Sequence, residues 1–87
     1  MSKYDKLKEL LAEQNFPLQY PFKFIIKEDP EKLIQIKRIF DETAEYQLRK
    51  SKNGNYSSIT IKQMMLSSED IIAKYVQMEG IEGVISL

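Results

Sequence analysis

Lys52-Asn53-Gly54-Asn55-Tyr56-Ser57-Ser58-Ile59-Thr60-Ile61 runs from a turn signal straight into a stretch in which polar and apolar side chains alternate. Asn-Gly is the strongest short hairpin signal, because both central residues of a type I′ turn need positive φ, which Asn tolerates and Gly adopts freely. A strand therefore precedes it, over Tyr46 to Lys50, and another follows it, over Ser57 to Gln63. A two-residue loop at Asn53-Gly54 pairs residues whose numbers sum to about 107. That register sets Leu48 opposite Ile59 and Tyr46 opposite Ile61 on one face, with Gln47 opposite Thr60 and Arg49 opposite Ser58 on the other. A three-residue loop would set Leu48 against Thr60 and mix the faces, whereas a four-residue loop with the same register keeps them apart equally well.

Upstream, Phe22 to Lys27 reads as the first strand, with Phe22, Phe24 and Ile26 on one face, Lys23, Ile25 and Lys27 on the other, and Pro21 at its start. Asp29 as N-cap, Pro30 at the first helical position and Glu31 in the first turn open a helix predicted to run to about Glu42. Its stripe is Leu33, Ile34, Ile36, Ile39 and Phe40. Lys37 and Arg38 offset Asp41 and Glu42 by i,i+4 pairing. Asp41, Glu42 and Glu45 read as a solvated helix end, not as a metal site, because a hard cation needs oxygens converging from a shaped loop.

Before the two-proline connector Phe16 to Pro21 lies an amphipathic helix, capped by Ser2 with Asp5 three residues on, carrying Tyr4, Leu7, Leu10 and Leu11, and ended by Asn15 and Pro17. Downstream, Ser67 or Ser68 opens a last helix with Glu69 and Asp70 in its first turn and Ile71, Ile72, Tyr75, Val76 and Met78 as its stripe. Gly80 is the expected left-handed C′ residue, followed by Ile81, and Gly83 to Leu87 forms a last strand. The fold class is α+β: an N-terminal helix over 1–15, then a βαββαβ domain over 16–87. A four-stranded antiparallel sheet of order 4-1-3-2 with two helices on one face is expected.

The 87 residues make one domain, and 43% hydrophobic with 30% charged residues lies in the globular range. Thirteen basic residues balance thirteen acidic ones, so the basic surplus that usually marks nucleic-acid binding is absent. The chain contains no histidine and no cysteine, which excludes Cys/His zinc sites, Cys or Ser/His triads and histidine pH switches. No cofactor is expected. The charged amino terminus has no signal-peptide core and no apolar run approaches a membrane span, which reads as a cytoplasmic protein without membrane contact.

The Phe16-Pro17 pair, the Tyr20-Pro21-Phe22-Lys23 segment, the stretch from Lys52 to Ile61 and the short apolar carboxyl strand resemble the YbeD-like family of small bacterial proteins, over essentially the whole chain from Phe16 onward. The turn and strand residues Asn53, Gly54, Asn55 and Tyr56 lie in the most specific part. The resemblance implies a ferredoxin-like fold similar to ACT-type regulatory domains, in a family without established enzymatic activity that is associated with regulation of lipoate synthesis. One departure concerns the loop Lys27-Glu28-Asp29-Pro30. It lacks the glycine that lets an ACT-like backbone approach a small ligand.

Acylphosphatases share this strand order, but their chemistry needs a glycine-containing, arginine-bearing phosphate loop after the first strand, where this chain has two acids. RNA recognition on this topology needs exposed aromatics on the central strands, and the outward positions offer none. The face away from the two core helices carries Lys23, Lys27, Gln47, Arg49, Ser58, Thr60 and Lys62, and no carboxylate. It is expected either to dock an acidic partner or anionic metabolite, or to be an ordinary solvated face, or to be hidden by the amino-terminal helix. The functional expectation is a non-enzymatic regulatory or adaptor module with a protein partner, monomeric or homodimeric. The alternative is an ACT-like small-molecule sensor acting as a dimer, with an acylphosphatase-like hydrolase a distant third.

Overall fold

The computed structural model describes residues 3–52 and 54–86. Its elements are α1 (Asp5–Ala12), β1 (Leu18–Lys27), α2 (Pro30–Ile39), β2 (Glu45–Lys50), β3 (Tyr56–Met65), α3 (Ser68–Glu79) and β4 (Val84–Ser86). The strands form one antiparallel sheet in the order β2-β3-β1-β4, which counted from the other edge is β4-β1-β3-β2.

The hairpin pairs Tyr46 with Ile61, Gln47 with Thr60, Leu48 with Ile59 and Arg49 with Ser58. Parity decides this register, since a slip of one residue would turn Tyr46 and Leu48 to the open face. Of the two loop lengths compatible with this register, the longer, four-residue one is found. Ser51 N–H donates to the Tyr56 carbonyl at 2.9 Å and Gly54 N–H to the Ser51 carbonyl at 3.1 Å, so the loop spans 52–55. Gly54 supplies the positive φ, 72°, while the expected positive φ of Asn53 lies outside the described residues. The Asn55 carbonyl accepts the Glu28 N–H at 2.9 Å, which turns its backbone toward the loop after β1.

β1 starts four residues earlier than the alternation around Phe22 suggested, because Leu18 to Pro21 pair with Met65 to Lys62 and lengthen both strands. Pro21 is therefore inside the strand. Lys27 N–H donates to Gly83 on the β4 side, so alternate residues back to Pro21 direct their backbone groups that way. The missing proline N–H costs no bond to β3. Among the described residues β4 pairs only with Phe24–Ile26, leaving the start of β1 an edge on that side.

Three helix boundaries also move. α1 has Tyr4 at its N-cap position, the expected Ser2 cap lies outside the described residues, and the helix stops at Ala12, before Asn15. α2 stops at Ile39 because Phe40 turns extended and is buried. Asp41 then accepts hydrogen bonds from the Thr43 N–H, at 2.8 Å, and from its hydroxyl. This side-chain turn competes with a further helical turn and holds the Asp41 carboxyl below its usual range. Lys37 lies over the Tyr46 ring at 5.5 Å, and the Lys74 ammonium takes the Ile39 carbonyl. For the Lys37 and Asp41 pair, the expected i,i+4 offset is thus replaced by other partners. α3 begins as expected, with Ser67 Oγ accepting from Asp70 N–H at 3.2 Å.

The core joins Phe22, Phe24 and Ile26 of β1 and Ile59, Ile61 and Met65 of β3 to Ile36 of α2, the following Phe40, and Ile71, Tyr75 and Met78 of α3. Leu10, Ile34 and Val76, counted into apolar stripes by sequence, are more than half exposed at 58%, 53% and 52%. α1 joins the helix layer: Leu11 is buried, Tyr4 stacks on Tyr75 at 6.0 Å and Lys3 pairs with Glu79. It does not cross the open sheet face. Buried Gln63 has its oxygen satisfied by Asp41 N–H at 3.2 Å.

Gly80 is not the left-handed residue; its φ is −71°. Gly83 is, at φ 85°, in the turn that aims β4 back along β1. Gly83→Ala is expected to cost about 1–2 kcal/mol, the penalty of a Cβ in this region, and Gly80→Ala less than half as much. Urea midpoints of the two variants check the ranking, which a larger loss at Gly80 would reverse.

Candidate functional site

The open face of the sheet is built by parity. Odd residues of β1 and β2 and even residues of β3 point away from the helices, because their neighbours fill the core. This brings Lys23, Gln47, Arg49, Ser58 and Thr60 around one shallow depression. Lys23 and Gln47 flank Thr60, and Arg49 flanks Ser58 on the next rung. Small hydroxyl residues on the central strand make the floor, and long side chains on either side make the walls. Chemically this offers two cations, an amide and two hydroxyls, a set suited to carboxylates or other anions.

The remaining expected residues lie apart. Lys27 is opposite Tyr56 at the end of β1, beyond Ile25, and Lys62 is opposite Pro21 and Glu45 at the other end. Glu45 corrects the expectation of a face without carboxylates. β2 begins at Glu45, one residue before Tyr46, and odd parity places this acid on the open face against Lys62. Ile25 and Ile85, paired across β1 and β4, add an apolar corner.

The turn residues are tied into the scaffold. Ser57, 5% exposed, donates its hydroxyl to Glu28 Oε2 at 2.6 Å, Lys50 pairs with Glu28 Oε1 at 3.7 Å, and Asn55 accepts the Glu28 N–H. Glu28 thereby clasps the hairpin to the loop after β1. Sequence reasoning saw Glu28 only as a misplaced acid in a ligand loop. Its visible signal was Ser57, a polar residue at a core-facing position that needs a buried partner.

Among the described residues no group of three or more Asp or Glu is placed to hold a metal ion, and no helix is long and apolar enough to cross a membrane. Fold and site together define a small α+β domain with one basic, uncovered sheet face. The model of the family described as a protein of unknown function (DUF493) matches residues 12–87, and the chain belongs to that family. No curated protein and no solved structure matches the chain.

Proposed function

We propose that the chain is a non-enzymatic regulatory or adaptor module of ferredoxin-like, YbeD-like character, working in the cytoplasm, whose open sheet face docks an acidic protein partner. The observation that carries this reading is the depression lined by Lys23, Gln47, Arg49, Ser58 and Thr60 on a face that α1 leaves bare. The absence of any imidazole or thiol in the chain supports a binding role for Ser58 and Thr60 over a nucleophilic one. The sensor alternative gains nothing from the loop after β1. There Asp29 Oδ1 accepts the Glu31 N–H at 3.0 Å, so a carboxylate already occupies the amino end of α2 where a small anion would bind.

Lys23→Glu/Lys27→Glu is the test, since both lysines are exposed and neither lies on β2. The immobilised protein is expected to retain an acidic partner from lysate at low salt and release it as salt rises, through screening of exposed charges. The double variant is expected to retain none while its Tm stays within about 4 °C, as for surface substitutions generally. Equal retention by both proteins would refute the docking face.

A further inference from the structure

We propose that the outer edge of β2 pairs antiparallel with β2 of a second copy of this chain, centred on Gln47, to make a continuous eight-stranded sheet. The strand Glu45–Lys50 has β3 on one side, and among the described residues no strand on the other. Ser51 N–H donates to Tyr56 on the β3 side, so by alternation Arg49, Gln47 and Glu45 also direct their backbone groups to β3. The backbone groups of Tyr46, Leu48 and Lys50 then point outward. These are the groups a further strand would use.

The side chains choose the partner. Directly opposed residues in an antiparallel pair share a face, so a two-fold axis can fall only on a residue of β2, not between two. With the axis at Gln47, Glu45 meets the second copy's Arg49 on the open face, Tyr46 meets its Leu48 on the core face, and Gln47 meets Gln47. Each of these pairs occurs twice except the central one. The outward backbone groups then fall on the Tyr46–Leu48 pairs, where the hydrogen bonds must form. An axis at Tyr46 sets Glu45 against Gln47, and an axis at Leu48 sets Arg49 against Gln47 and Tyr46 against Lys50. Only the Gln47 centre matches opposite charges and apolar side chains together.

The apolar half of that match is unfinished within one chain. Leu48 is 45% exposed although it lies on the core-facing side of the sheet, and Ile34, one turn before the Lys37 that covers Tyr46, is 53% exposed on the same flank of α2. Pairing would cover Leu48 and join the two open faces into one surface. The inference is independent of the acidic-partner reading, which can fail with the dimer intact.

The test exploits the absence of cysteine from the chain. In the non-hydrogen-bonded central pair the Cα atoms are about 4.5 Å apart, within disulfide reach. Gln47→Cys is therefore expected to form a covalent dimer under mild oxidation about tenfold or more faster than Gln19→Cys, a control thiol at the opposite margin of the sheet, because paired thiols have a high effective concentration. In the Gln47→Cys background, Arg49→Glu alone and Glu45→Arg alone are each expected to lower the rate to that of the control, by setting like charges opposite one another. The two together are expected to restore it. Both residues are exposed, and circular dichroism verifies that each variant is folded. Equal rates for Gln47→Cys and Gln19→Cys, or a double exchange that restores nothing, would overturn the pairing.

Discussion

Phe22→Ala is expected to remove about 3–5 kcal/mol of stability, the usual cost of deleting a buried ring together with the cavity it leaves. Phe22 is fully buried, and its ring meets Tyr20 at 4.7 Å, Phe40 at 5.0 Å and Tyr75 at 5.3 Å. These neighbours come from β1, the end of α2, and α3, so the void would open where three elements join. Packed aromatic rings collapse poorly into such a space, since their edge-on geometries are mutually fixed. Against a total of about 5–15 kcal/mol for a domain, the loss is a large share. Tm is expected to fall by at least about 12 °C, on the scale of several degrees per kcal/mol for a domain of this size. Val76→Ala, on the exposed flank of α3, is expected to shift it by only a few degrees. Similar shifts for the two variants would contradict the core described above.

The second large effect is alkaline. Burial, then the hydrogen bond with Tyr20, raises the Tyr75 hydroxyl well above the usual tyrosine value; the two hydroxyls are 2.9 Å apart. Burial raises Tyr4 in the same direction. The folded state thus keeps its proton at pH values where the unfolded chain, titrating near 10, has lost it. The native state then binds more protons, so stability is fully present below about pH 10 and falls progressively above it. Tyr75→Phe removes the share of this dependence that Tyr75 carries, along with one hydrogen bond. Wild type is expected to exceed the variant by about 1 kcal/mol at pH 7, with the gap narrowing as the pH rises above about 10 in urea titrations. A gap that stays constant to pH 11 would show that the Tyr75 proton is not coupled to folding.

The hairpin register was legible in the sequence because side-chain parity admits few answers: Ile59 and Ile61 must face the core, and Leu48 and Tyr46 follow. The helix start signals at Asp29-Pro30 and Ser67 were legible for a similar local reason, since a cap acts on the residues beside it. What failed depended on distant partners. Leu18 to Pro21 extend β1 only because Met65 to Lys62 lie beside them, and Phe40 leaves α2 because the aromatic cluster takes it. Gly80 and Gly83 offered the same residue type three positions apart, and the path into β4 decides which one turns left-handed.

The depression itself was largely legible, because Lys23, Gln47, Arg49, Ser58 and Thr60 follow from parity alone. Glu45 was missed by starting β2 one residue late, at Tyr46, and with it the acid that gives that edge both signs of charge. Glu28 was misjudged because its acceptor role depends on Ser57, 29 positions away in sequence. The location of α1 could not be read from its own stripe, which fits either face of the sheet. Tyr4 against Tyr75 decides it.

Pro21 gives the sheet two margins of different kinds. At the β1 margin, where β4 is too short to cover the strand, an incoming chain would meet a position with no hydrogen to donate. The β2 margin carries no such block. An assembly that begins there would use the β2 margin of both copies at once and leave the proline-bearing start of β1 outward. In the proposed pairing the two-fold axis closes the β2 edges on each other, and the proline makes continuation along the start of β1 unfavourable.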